Sequence, residues 1–186
     1  MICLFSIQAW AQSGKLFNTD NQLSSNLATQ VFQDKSGFIW IATRNGLNTY
    51  DGYHITVIKK DMSNFLGLNS NYINSIAQDE KEHILLGTNN SLLEFTGSEF
   101  LKIPMLDSKG EELATYVKQV YPLKNKDVAV ATSGYGIMLK KQDEQKCHAM
   151  KGEVEKLKYI LKLLEDKRGR LWIITEDGKL YRKETN

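Results

Sequence analysis

The feature that most constrains this chain is an internal repeat. Asp34, Lys35, Gly37, Trp40, Ile41, Thr43 and Gly46 reappear as Asp166, Lys167, Gly169, Trp172, Ile173, Thr175 and Gly178, each 132 residues on. That offset is three times 44, so two further copies are expected between them. Asp79 to Thr88 follows the first copy by 45 residues. Lys124 to Thr132 is weaker, but Thr132 follows Thr88 by 44 residues and precedes Thr175 by 43. Upstream, Leu23-Ser24-Ser25-Asn26 matches Leu68-Asn69-Ser70-Asn71 at a spacing of 45. A period in the forties punctuated by turn signals marks a β-propeller or a similar array.

Each copy reads as four short antiparallel strands. Val31-Phe32-Gln33 and Ile73 to Ile76 are strands that run into a tight turn. Asp34-Lys35-Ser36-Gly37 is turn chemistry, with Asp bonding its own downstream backbone and Gly taking a positive φ. Phe38 to Ala42 is β-branched and aromatic, as a strand buried on both faces requires. Asn45-Gly46 signals a hairpin. Leu47 to Tyr50 is then a third strand, and Tyr53 to Ile58 alternates as a half-exposed fourth. Four strands in about 44 residues make one propeller blade. Trp40 and Trp172 are expected to pack between blades, with Leu85 in that role in the second copy. One segment competes: Glu153 to Leu164 keeps helical spacing at Val154, Leu157, Ile160 or Leu161, and Leu164. Tyr159, Leu161 and Leu163 also alternate, and the repeat register assigns the segment to a strand.

The fold class is therefore all-β: four propeller blades of about 44 residues over roughly 23–62, 68–105, 115–147 and 155–186, forming an incomplete propeller across 12–186. The last copy stops at Leu180-Tyr181-Arg182 without an outer strand. Lys15-Leu16-Phe17 could donate one and close a ring; an open arc that waits for a further blade is the preferred expectation. Such an arc would leave apolar blade faces bare and prone to association.

Ahead of the repeats, residues 1–11 are uncharged, with an apolar run from Ile2 to Ile7 and a small-x-small pattern at Ala9-Trp10-Ala11. This is read as an export signal lacking its basic start. The composition, 41% hydrophobic and 25% charged, is that of a globular protein. Lys plus Arg number 24 against 22 Asp plus Glu, which gives no nucleic-acid footprint. No apolar stretch reaches eighteen residues, so no membrane span is expected in this chain. Two cysteines, Cys3 and Cys147, supply neither a disulfide framework nor a cysteine metal site.

Few residues suggest chemistry. Asp34, Asp79 and Asp166 recur at one turn, which makes them turn formers rather than catalytic carboxylates. His54, His83 and His148 share no metal-ligand spacing and are read as scattered. Ser133-Gly134-Tyr135-Gly136 lacks the Lys and helix of a phosphate loop and is read as a hairpin. Trp40 and Trp172 could stack on a sugar ring, but an apolar strand favours the core. Arg44, Asn45 and Asn48 lie at the hairpin of the best repeat, where propeller loops often bind ligands, and they are the candidate ligand-binding residues. No catalytic residue, metal or cofactor is expected.

The run from Leu23-Ser24-Ser25-Asn26 through Val31 to Gly52 resembles the two-component regulator propeller repeat, with its Asp-x-x-Gly-x-x-Trp-x-x-Thr-x-x-Gly-Leu string. The second copy departs from it at Glu82, Leu85 and Ser91, and the third keeps little beyond Thr132. The resemblance implies a non-enzymatic periplasmic sensor region of a hybrid two-component system, responsive to an oligosaccharide and controlling polysaccharide utilisation through kinase domains absent here. It is compatible with a homodimer formed through the parent sensor. An exported propeller lyase or hydrolase, or a free-standing interaction scaffold, is the alternative.

Overall fold

The structure is a computed structural model describing residues 14–60 and 67–184. The predicted export signal lies outside the described residues. Among the described residues, sixteen strands form four sheets. The first holds β1 (Ala28–Gln33), β2 (Ile39–Thr43), β3 (Gly46–Tyr50) and β4 (Ile55–Ile58) in sequence order. The second holds β5 (Ile73–Gln78), β6 (Ile84–Thr88), β7 (Leu92–Phe95) and β8 (Phe100–Ile103). The third holds β10 (Tyr116–Pro122), β11 (Val128–Ser133), β12 (Ile137–Lys140) and β13 (Cys147–Ala149), with β9 (Met105–Leu106) added in parallel at its edge. The fourth has three strands, β14 (Ile160–Glu165), β15 (Leu171–Thr175) and β16 (Leu180–Lys183).

The repeated turn works as its residues dictate. Asp34 accepts the Phe38 N–H on Oδ1 while its carbonyl accepts from Gly37. Gly37 sits at φ 93°, where a side chain is disfavoured. Asp166 and Gly169 repeat this arrangement. In blade 2 Glu82 takes the glycine's place at φ 67°, and in blade 3 Lys126 does so at 72°. A buried threonine closes each central hairpin: Thr43, Thr88, Thr132 and Thr175 donate to the carbonyls of Gly46, Ser91, Gly136 and Lys179.

The core lies between the blades, not within them. One apolar cluster joins blades 1 and 2 through Trp40, Leu47, Ile76 and Leu93; another joins blades 2 and 3 through Leu85, Val117 and Met138; a third joins blades 3 and 4 through Ala129, Ile137 and Ile173. As expected, Trp40 meets Phe95 of blade 2 edge-to-face, with ring centroids 5.7 Å apart. The inner strands are stitched together as well. Side chains of one blade bond the main chain of the next: Thr29 to Ile73, Gln30 to Ile76, Asn74 to Val117, Ser75 to Val120, Gln119 to Leu163 and Tyr121 to Glu165.

Two expectations change in detail, and the open arc is kept. The segment from Glu153 is a strand only from Ile160; Glu153–Lys156 is a single 3-10 turn that buries Val154. The hairpin of the first repeat turns on Arg44-Asn45, because Thr43 already pairs with Gly46. The positive φ, 135°, falls on Gly46, where a Cβ would meet Ser24 at 3.0 Å. Lys15 and Phe17 do not extend blade 4. They pack on the Tyr50 ring of blade 1, with Phe17 at 5.3 Å and the Lys15 ammonium at 5.7 Å. Among the described residues, blades 1 and 4 do not join, and the four blades form an open arc.

Candidate functional site

The blade geometry gathers the hairpin loops and the entries to the inner strands on one face. Main-chain bonds knit this face: Arg44 to Leu27, Gly46 to Asn71, Thr115 to Asn90, and Gly134 and Gly136 to Lys158. The predicted Ser133–Gly136 hairpin is among these loops, joining β11 to β12.

Across the face runs a line of aromatic and charged groups. The exposed Arg44 guanidinium lies 5.6 Å from the centre of the Tyr72 ring. Tyr72 meets Tyr116 edge-to-face at 6.0 Å. The Tyr116 hydroxyl donates to Asn74 Oδ1 at 2.8 Å. Lys118 sits 4.5 Å from the Tyr116 centroid and pairs with Glu176 at 3.1 Å. Each blade thus contributes at least one group. Partial burial, then the neighbouring Tyr72, pushes the Tyr116 hydroxyl up to about 12. It is therefore a neutral hydrogen-bonding group at ordinary pH, suited to binding rather than proton abstraction. Beside it a cleft of about 590 Å³ opens on blade 4, lined by Tyr159, Thr175, Glu176, Asp177 and Tyr181 among others.

The three candidate residues fare differently. Arg44 belongs to this line. Asn45 is exposed beside it, with its N–H bonded to Thr43 Oγ1. Asn48 is not available to a ligand: it is fully buried, donating to the Ile41 carbonyl and accepting from the Ser24 N–H. Trp40 is likewise buried in the inter-blade core, its indole bonded to Asp34. Tyr72, Tyr116 and Lys118 escape a reading of local motifs, since they stand outside the recurring string and meet only across blades.

Away from this face, Asp79, His83 and Glu94 come together. His83 is thus not a scattered histidine; its partners are carboxylates rather than the other two histidines. Cys147 is buried and free, and burial pushes its thiol up to about 12. This makes it an inert packing group.

Comparison with known proteins follows the same outline. Residues 22–45, 67–90 and 156–177 match the two component regulator propeller model. No curated protein matches the chain. Among solved structures, it is similar to the extracellular domain of BT4673 from B. thetaiotaomicron, described as a hybrid two component system, with 16% identity and a TM-score of 0.70 over 84% of this chain and 23% of that one. It is also similar to PorZ, a surface component of the type-IX secretion system of Porphyromonas gingivalis, with 20% identity and a TM-score of 0.66 over 87% of this chain and 26% of that one. Virginiamycin B lyase from Staphylococcus aureus matches at 10% identity and a TM-score of 0.60, over 86% of this chain and 56% of the lyase. The chain therefore spans about a quarter of the length of the first two.

Proposed function

The chain belongs to the two component regulator propeller family, and from that premise we propose that it forms part of the exported ligand-sensing propeller of a hybrid two-component receptor. The observation that carries this reading is the set of three family repeats on a fold shared with the BT4673 extracellular domain. We assign the ligand to the oligosaccharides, with kinase domains elsewhere in the receptor turning its binding into control of polysaccharide utilisation. The line from Arg44 to Lys118 supports that class. Tyrosine rings offer flat apolar surface to the C–H face of a sugar, while Arg44, the Tyr116 hydroxyl and Lys118 offer hydrogen bonds to its oxygens.

Calorimetry of the complete receptor ectodomain against a panel of oligosaccharides tests the reading. Binding is expected, and Arg44→Ala or Tyr72→Ala should weaken it roughly tenfold, about 1.4 kcal/mol. An absence of heat with every glycan would remove the sugar assignment, and binding indifferent to both substitutions would remove this face. The lyase among the structural neighbours supplies a competing enzymatic reading, which turnover of a bound oligosaccharide would favour.

A further inference from the structure

The repeat provides its own controls for one buried group of side chains. In blade 1, both oxygens of the turn aspartate have hydrogen-bond donors. Asp34 Oδ1 takes the Phe38 N–H, and Oδ2 takes the Trp40 indole at 2.7 Å. In blade 4, Asp166 Oδ2 takes the Trp172 indole at 3.0 Å and the Arg170 Nε at 2.7 Å. Blade 2 keeps the aspartate but has Leu85 where the indole should be. Asp79 Oδ1 still accepts from the His83 N–H at 2.9 Å. Its Oδ2 has lost the repeat's donor and faces His83 Nδ1 at 3.7 Å, beyond hydrogen-bond reach.

A second substitution in the same blade aims another carboxylate at this spot. Glu94 pairs across the sheet with Leu85, at the position that Thr49 holds opposite Trp40. Glu94 is 3% exposed and Asp79 7%. Glu94 Oε1 lies against His83 Nδ1; both atoms are buried and neither makes a hydrogen bond. The three ligand atoms lie within 4.8 Å of one another. Two carboxylates so placed are costly to bury without a compensating charge.

We propose that Asp79, His83 and Glu94 bind a divalent first-row transition-metal ion, of the chemistry of Zn²⁺. One imidazole nitrogen and two carboxylate oxygens are a zinc-type donor set, whereas Ca²⁺ favours six or more oxygens. Zinc bonds of about 2.0–2.2 Å put neighbouring ligands roughly 3.3–3.6 Å apart in a tetrahedron. The Asp79–His83 spacing nearly matches this, and Glu94 needs only to draw back from the imidazole. The His83 side chain is one-third exposed, so a turn of its ring would admit the ion to the buried Nδ1 and the two carboxylates.

The test is titration of the untagged full chain with Zn²⁺ by calorimetry, and with Co²⁺ by visible absorption. One ion per chain is expected, with a Co²⁺ band abolished by added Zn²⁺ and a rise in thermal midpoint on loading. His83→Arg copies the Arg170 arrangement of blade 4, His83→Phe copies Phe38, and Glu94→Thr copies Thr49. Each should weaken binding by at least ~10-fold, with an unchanged β circular dichroism spectrum. Failure of the folded wild-type chain to bind either ion would overturn the proposal. Equal binding by the His83 variants would overturn it too, moving the ion to another site.

Discussion

At the residue scale, one aspartate carries two jobs, and only one could be read from the sequence. Asp34 and Asp166 were legible as turn formers, because Asp followed by Gly at the third position states the turn chemistry. Their second job, receiving the tryptophan indole six residues on, depends on how the strand twists back over the turn. The indole of Trp172, then Arg170 and main-chain donors, hold the Asp166 carboxyl well below the usual carboxylate range. Asp177 is lowered to about 2, chiefly by Lys179 and then by the Thr175 hydroxyl. A carboxyl depressed in the folded state contributes stability that is fully present above its ordinary value, near 4, and is lost as pH falls toward the folded value. Blade 4 is therefore expected to weaken between about pH 4 and pH 2. Trp172→Phe removes the main cause at Asp166 while keeping an aromatic ring. Its urea midpoint should fall less steeply with acid than that of the wild type, and an NMR titration should find the Asp166 carboxyl moved upward.

At the element scale, strand identity and the order of strands within a blade were legible, and the side chains that meet across blades were not. The β-branched run at Ile39 to Ala42 could be nothing other than a buried strand, and the alternation near Tyr159 correctly outweighed helical spacing. The 3-10 turn at Glu153–Lys156 escaped because its good helix formers are too few to continue. The candidate binding face escaped because Arg44, Tyr72, Tyr116 and Glu176 stand in four different blades, 28, 44 and 60 residues apart in turn, and become neighbours only through blade packing. Packing also explains a gradient at one position of the second strand. Ala42, Gly87 and Ala131 are small, and Ile174 stands there in blade 4. A Cβ on Gly87 would come within 2.5 Å of Val117 Cγ1, so blade 3 presses directly on that backbone. Ile174 faces outward and is 39% exposed. Gly87→Val should accordingly destabilise the chain by roughly 1–3 kcal/mol through overpacking, measurable as a lowered denaturant midpoint. Ile174→Val should be nearly silent in the same assay.

At the scale of the whole molecule, the arc presents the face of blade 4 that each earlier blade hides. Leu164 at 58% exposure and Leu180 at 61% lie there with Ile174 and the edge of Trp172. The chain expressed alone is expected to self-associate through this surface. Light scattering during gel filtration should find species larger than a monomer, and Leu164→Lys with Leu180→Lys should shift them toward one. A monodisperse wild-type monomer would refute this. The stitching of the inner strands has another consequence. Its bonds run mostly from side chains of one blade to the peptide groups of the next, so the receiving blade supplies only its backbone. These bonds thus place no side-chain requirement on the receiving strand, whose sequence is free to vary at those positions so long as the apolar packing between blades is kept. The third copy, which has lost nearly all the recurring string and still sits in register between its neighbours, is what such a tolerant joint permits over evolutionary time.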